Sequence, residues 1–122
     1  MKKLMIVDDS NIIRSRIARV IGSPRLPDIQ IVGLARDGAE AVEICRRSKP
    51  DLVTLDLTMP NMDGIECVEQ MMRIDSAISV LVVSALADKP TAISALKKGA
   101  RGFLHKPFTD QQLVDALLEL ME

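Results

Sequence analysis

Near its start the sequence carries a short apolar run that ends abruptly on two carboxylates, Leu4-Met5-Ile6-Val7-Asp8-Asp9. Three later runs follow the same pattern and each stops before one polar residue: Leu52-Val53-Thr54-Leu55 before Asp56, Val80-Leu81-Val82-Val83 before Ser84, and Phe103-Leu104-His105 before Lys106. Runs this short, rich in branched residues and separated by segments of helical period, predict parallel strands buried on both faces. Because parallel strands point their carboxyl ends to one edge of a sheet, we expect the carboxylates, the hydroxyl and the ammonium to converge in one crevice.

The segments between these runs predict helices and one further strand. Apolar residues recur at helical spacing over 13–21, and Gly22-Ser23-Pro24 closes that helix. A strand is predicted at Ile29–Ala35. The other helices are predicted around 41–45, from near Asp63, from about Lys89-Pro90, and after a Thr109 N-cap. The fold class is therefore α/β, with a doubly wound five-stranded parallel sheet and five helices.

Composition restricts the class of protein. The 122 residues predict one domain over 1–122. With 48% apolar residues, 27% charged residues and a formal net charge of -1, the chain is neither disordered nor basic enough for nucleic acid, so the partner is a protein or small molecule. The sequence lacks a signal-peptide pattern and any apolar stretch long enough for a bilayer, so we expect a cytoplasmic protein with no membrane insertion.

The two cysteines do not form a metal or redox motif. Cys45 and Cys67 have no CxxC spacing and no companion histidine, and both fall in predicted helices. We therefore expect free thiols in a reducing compartment.

Carboxylates that converge at the sheet edge need a cation, because they repel one another by several kcal/mol per pair at intermediate dielectric. Mg²⁺ suits oxygen ligands, takes one or two carboxylates and recruits phosphate oxygens. Asp56, at the centre of the edge, is the candidate nucleophile for an aspartyl phosphate. Ser84 and Lys106 are candidate ligands of the phosphoryl oxygens.

Other interpretations of these residues are available. An Asp-Asp pair after a strand is often only a helix cap. Phosphatases of the haloacid dehalogenase type also use a strand-end aspartate with Mg²⁺ and lysine, but they need a second aspartate two residues later, where this chain has Thr58. The six glycines form neither GxGxxG nor GxxxxGK[ST], which argues against nucleotide binding.

Taken together, four motifs resemble the receiver domain of two-component response regulators: Asp8-Asp9, Asp56-Leu57-Thr58-Met59-Pro60-Asn61-Met62-Asp63-Gly64, Ser84-Ala85 and Lys106-Pro107-Phe108. The resemblance implies a flavodoxin-like, CheY-like fold and makes Asp56 the phosphoacceptor. It also implies that Asp9, Asp56 and the Thr58 carbonyl hold Mg²⁺, with Asp8 contributing through water. Ser84 becomes the switch hydroxyl and Phe103 the switch aromatic.

Within that family the chain resembles the single-domain type, because it stops at Glu122, soon after its last helix. Its motifs also look close to chemotaxis regulators of the CheY type. This resemblance implies a phosphoacceptor switch rather than an enzyme, with intrinsic self-phosphorylation and autodephosphorylation. It implies a histidine kinase as donor, a flagellar switch component as downstream partner, and a monomer. A phosphorelay intermediate, a phosphate sink and an isolated receiver of a larger regulator remain alternatives.

The expected output surface is formed by the fourth helix, the fifth strand and the fifth helix. Five basic side chains are expected to make this region positive: Lys97, Lys98, Arg101, His105 and Lys106. An acidic, partly apolar peptide is therefore the expected ligand. Thr54-Leu55-Asp56 also resembles the receiver half of the chemoreceptor methylesterase.

Overall fold

The computed structural model describes residues 1–59, 62–85 and 89–122. Strands and helices alternate along the chain: β1 Lys2–Val7, α1 Asn11–Val20, β2 Ile29–Ala35, α2 Gly38–Ser48, β3 Leu52–Leu55, α3 Gly64–Ile74, β4 Ser79–Ser84, α4 Lys89–Lys98, β5 Gly102–His105 and α5 Asp110–Leu120. The predicted α/β class is confirmed. The bounds of β2 and β3 agree with the prediction, whereas β1, β4 and β5 extend by one or two residues beyond the apolar runs.

The sheet is parallel throughout and has the order β2-β1-β3-β4-β5. Its register decides which residues meet at the carboxyl edge. Val7 pairs with Leu55, so Asp8 and Asp56 leave the sheet at the same level. Ser84 pairs with His105, so Lys106 leaves β5 one residue beyond Ser84. Strand pairing alone therefore brings the predicted polar residues to one edge.

Two apolar cores cover the two faces of the sheet. One contains Val53 and Leu55 with residues of α2, α3 and α4, and the other contains Leu52 with residues of α1 and α5. Strands β3 and β4 are buried along their whole length, which explains their largely apolar sequences. Helices on both faces make the sheet doubly wound, as predicted.

Helix caps explain where several helices begin. Asp37, Asp63 and Thr109 each accept a hydrogen bond from the backbone N–H three residues later. Thr109 and Gln112 form a reciprocal capping box, which confirms the predicted N-cap of α5. These caps satisfy N–H groups that have no partner within the helix.

Both cysteines are free and buried, in α2 and α3. Burial raises the pKa of Cys45 and raises that of Cys67 to about 12, so both stay protonated thiols at neutral pH. The prediction of free thiols is confirmed. Among the described helices, none combines the length and apolar character that crossing a membrane requires.

The hydroxyl of Thr54 is a buried polar group in the sheet. The Thr54 side chain is 1% exposed on β3, and within the described residues its hydroxyl oxygen has no hydrogen-bond partner. Thr54→Val keeps the shape and removes this hydroxyl, so we expect the free energy of unfolding to rise by about 1 kcal/mol. Urea denaturation followed by circular dichroism measures the change. Thr54→Ser is the matched control, because it keeps the hydroxyl and should destabilise the protein; a less stable Thr54→Val would contradict the prediction.

Candidate functional site

Three carboxylates meet at the carboxyl edge of the sheet. Oxygens of Asp8, Asp9 and Asp56 lie within 4.8 Å of one another. Asp8 and Asp56 are buried, whereas Asp9 is exposed. The predicted convergence of these three side chains is confirmed, and it places one exposed carboxylate beside two buried ones.

Asp8 is held at several points and does not serve as the N-cap of α1. That cap is Ser10, whose hydroxyl accepts the Ile13 N–H. Asp8 Oδ1 accepts the Ser10 N–H at 2.9 Å, and the Asp8 carbonyl accepts a hydrogen bond from the buried Arg14 guanidinium. The interpretation of the Asp-Asp pair as a simple helix cap is therefore wrong.

Lys106 brings the only ammonium in the cluster among the described residues. Its Nζ lies 2.8 Å from Asp8 Oδ2 and 3.7 Å from Asp56 Oδ2. The Lys106 N–H donates to the Ser84 carbonyl at 2.9 Å, and the Lys106-Pro107 bond is cis. One ammonium cannot neutralise three carboxylates, so the cluster favours a further cation.

Asp56 sits at the end of β3, where its N–H donates to the Val7 carbonyl and its Oδ1 accepts the Thr58 N–H at 3.2 Å. Burial raises the pKa of the Asp56 carboxyl, and the neighbouring carboxylates act in the same direction. The Thr58 N–H and the Lys106 ammonium oppose this rise. The ionised carboxylate is thus costly to bury, and binding of a cation would lower its pKa.

The start of α3 packs directly under Asp56. A Cβ at Gly64 would lie 2.5 Å from the Leu57 Cα and 2.9 Å from the Asp56 carbonyl oxygen. The Gly64 N–H donates to the Leu57 carbonyl at 3.0 Å. Only a residue without a side chain allows this approach, which is the physical reason for glycine at the end of the Asp56 motif.

The two predicted switch residues lie on neighbouring strands. Ser84 is fully buried at the end of β4, and Phe103 is partly buried on β5 against the core of α2, α3 and α4. Val82 pairs with Phe103 and Ser84 with His105, so Ser84 and Phe103 face the same side of the sheet. Pro60 and Asn61 of the Asp56 motif lie outside the described residues.

Arg14 is a buried residue beside the cluster that was not predicted from the sequence. Its guanidinium is buried and also donates to the Asn11 side-chain oxygen. The available signal was its place on the inward face of α1, three residues before the buried Ile17. A buried charged residue needs polar partners, and here they are the Asp8 carbonyl and the Asn11 side chain.

The chain resembles known proteins over almost its whole length. The family model for the response regulator receiver domain matches residues 4–118. The chemotaxis protein CheY of Listeria monocytogenes is 40% identical over 117 residues, which are 96% of each chain. The protein-glutamate methylesterase/protein-glutamine glutaminase of Thermotoga maritima is 39% identical over 124 residues, which cover 96% of this chain and 35% of that protein.

A solved structure with a similar fold is the CheX-CheY-BeF3-Mg+2 complex from Borrelia burgdorferi. The match has a TM-score of 0.91 and 32% identity, and it covers 99% of this chain and 90% of that chain.

Neutralising Asp56 should stabilise the protein in the absence of divalent cations. Because the folded pKa of Asp56 is raised, the folded state binds more protons than the unfolded state between the unfolded pKa of about 3.9 and the raised folded pKa, and stability falls as pH rises through this window. Asp56→Asn removes that loss, so its free energy of unfolding at pH 7 in EDTA should exceed that of the wild type by about 1 kcal/mol or more. The difference should shrink toward pH 4.

Thermal unfolding at several pH values measures this difference. Asp28→Asn is the matched control, because Asp28 is exposed and lies outside the cluster. A wild type more stable than Asp56→Asn at pH 7 in EDTA would show that the buried charge is fully compensated.

Proposed function

This chain belongs to the response regulator receiver domain family, and on that premise we propose that Asp56 is its phosphoacceptor. The observation that carries the proposal is the convergence of three carboxylates within 4.8 Å, with the Lys106 ammonium 2.8 Å from Asp8. The family makes the protein a two-component response regulator whose receiver is a phosphoacceptor switch. In this proposal residues 1–122 form one receiver domain, and a histidine kinase is the donor.

The donor set fits Mg²⁺. The cluster offers three carboxylates, whose oxygens are ligands that this hard cation prefers, against the single ammonium of Lys106. Asp9, Asp56 and the Thr58 carbonyl would hold the ion, with Asp8 contributing through water. Bound there, Mg²⁺ would neutralise charge on the cluster and on the phosphoryl oxygens.

The chemistry of the transfer rests on the chain's own groups. An Asp56 carboxylate oxygen forms the new P–O bond while the P–N bond of the donor phosphohistidine breaks and its electron pair returns to the imidazole. Lys106 lies close enough to Asp56 to pair with a phosphoryl oxygen, and the Ser84 hydroxyl is at the end of the adjacent strand. Asp56, Ser84 and Lys106 are thus the proposed catalytic residues.

The same site would accept a phosphoryl group from small donors and would release it slowly to water. In a haloacid dehalogenase phosphatase the residue two positions after the nucleophile is a carboxylic acid, whereas Thr58 has no group that can act as general acid at neutral pH. Intrinsic self-phosphorylation and autodephosphorylation, rather than turnover of an external substrate, are therefore the proposed activities.

Acetyl phosphate with Mg²⁺ should add one phosphoryl group, at Asp56. We expect no labelling of Asp56→Asn, and labelling of Asp9→Ala that is slower by at least about tenfold, because a lost ligand weakens charge stabilisation. Phos-tag gels and intact mass measure the product. Asp28→Ala is the control for loss of an exposed aspartate and should be labelled normally. Labelling of Asp56→Asn at the wild-type rate would refute the site.

The proposed output is a chemotaxis partner, by analogy with the CheY relatives. The output surface, made by α4, β5 and α5, carries the half-exposed apolar side chains Ile93 and Leu96 on α4. Ser84 and Phe103 connect the site to this surface through β4 and β5. If a phosphoryl group on Asp56 attracts the Ser84 hydroxyl, the space that Ser84 leaves would let the Phe103 ring move. This movement would change the shape of the output surface.

The charge expected on this surface needs correction. Lys106 points into the acidic cluster and is largely buried, and Lys98 forms an ion pair of 2.7 Å with Glu69 of α3. Sequence pattern does not reveal these partners, because both come from elsewhere in the chain. The exposed basic residues Lys97, Arg101 and His105 remain, so an apolar peptide with acidic flanks is the proposed ligand.

The identity of the downstream partner distinguishes a chemotaxis regulator from the other kinds of receiver domain. The likeness to the methylesterase allows an isolated receiver of a larger regulator, and a phosphorelay intermediate or phosphate sink would pass the phosphoryl group on instead of binding an output protein. A flagellar switch component is the downstream partner that the CheY likeness favours. The monomeric state and the cytoplasmic location are part of the same proposal.

Beryllofluoride should raise the affinity for an acidic amphipathic peptide by about threefold or more, since a ligand shifts a two-state equilibrium only through differential affinity. Ile93→Asp should abolish binding, whereas Ile12→Asp, at an exposed isoleucine on α1, should not. Ser84→Ala should still be phosphorylated but lose the affinity increase. Isothermal calorimetry measures these changes; equal affinity with and without beryllofluoride would remove the proposed output.

A further inference from the structure

Arg16 makes three contacts that join α1 to the segment after Lys106. Its guanidinium lies over the Phe108 ring, 4.5 Å from the centroid, and donates to the Phe108 carbonyl. Its Nε donates to Asp110 Oδ1 at 3.2 Å. The side chain is 30% exposed, so these contacts are partly shielded from water.

The residues that Arg16 contacts lie on the short segment that begins at Lys106, whose ammonium is proposed to bind the phosphoryl group. Phe108 is two residues beyond Lys106 and is 4% exposed, so its position is tightly constrained. On the other side, the Lys106 N–H is fixed to the Ser84 carbonyl. The loop that carries Lys106 is thus held by β4 at one end and by Arg16 at the other.

Arg16 differs from the other arginines that reach α5. Arg19 pairs with Asp110 at 3.6 Å and Arg25 with Asp115 at 2.7 Å, and both pairs join side chains that are at least half exposed. Such pairs contribute little. Only Arg16, among these three, also donates to the backbone of the loop and stacks on its aromatic ring.

We propose that Arg16 is a positioning residue for phosphoryl transfer: by holding Phe108 and Asp110 it keeps the Lys106 ammonium directed at Asp8 and Asp56. The inference rests on the proposed function of Asp56. A planar guanidinium suits this role because it can donate to two acceptors while stacking on a ring, which an ammonium cannot do.

The test is a double-mutant cycle. Arg16→Met keeps an apolar stem and should slow acetyl phosphate labelling by about 3- to 10-fold, because small displacements of a group at the reacting centre lower the rate steeply. In the Lys106→Ala background, Arg16→Met should change the rate by less than about twofold, since its effect acts through the missing ammonium. Arg19→Met is the matched control and should label normally.

Two further measurements separate positioning from folding. The rise in melting temperature caused by Mg²⁺ should be the same in Arg16→Met and wild type, because Arg16 pairs with Asp110 and, among the described residues, forms no ion pair with Asp8, Asp9 or Asp56. Amide exchange at Lys106 should accelerate relative to amides of β1. Arg16→Lys, which keeps the charge, provides a variant that is less disruptive to folding and should show an intermediate rate.

The outcomes are distinct. Equal slowing by Arg16→Met with and without Lys106 would overturn the proposal, as would unchanged exchange at Lys106. If wild-type protein is not labelled at Asp56, the proposed function fails, while the exchange measurement still decides whether Arg16 holds the Lys106 loop.

Discussion

The structure depends on holding like charges together where the sheet ends. Asp8 and Asp56 are buried side by side because Val7 pairs with Leu55, and Asp9 is next in the chain. Burial, and to a smaller extent the neighbouring carboxylates, raises the pKa of Asp56, so keeping this group ionised raises the free energy of the folded chain. Lys106, delivered from the other side of β4, offsets part of the cost, and the two apolar cores must supply the rest.

The parallel sheet is well suited to this task. In such a sheet the strand ends are fixed by pairing along the whole strand, so the acidic residues cannot separate without loss of register. At this edge Gly64 lets α3 begin against the backbone of Asp56 and Leu57. The fold therefore maintains a site that electrostatic repulsion alone would disperse.

Local pattern was enough to predict most of the fold and the convergence of Asp8, Asp9 and Asp56 at one edge of the sheet. Apolar runs that stop at Asp8, Asp56, Ser84 and Lys106 mark strand ends, and parallel pairing brings strand ends together. The contacts of Arg14, Arg16 and Lys98 were not predictable in this way, since their partners lie on other turns or elements and are set by side-chain packing. The same limit explains why the positive charge of the output surface was overestimated.

Lys106 connects the energetic cost of the cluster with its function. Its ammonium is 2.8 Å from Asp8 and 3.7 Å from Asp56, so it contacts the first carboxylate directly and the second only at longer range. A phosphoryl group on Asp56 would add negative charge at the carboxylate that lies farther from the ammonium. It would then compete with Asp8 for Lys106. The backbone at Lys106 is fixed, because its N–H donates to the Ser84 carbonyl and it directly follows β5, which contains Phe103. A change in the partner of the Lys106 ammonium would therefore be transmitted along this backbone to Phe103. The charge imbalance that makes the site costly would then also supply the driving force of the switch.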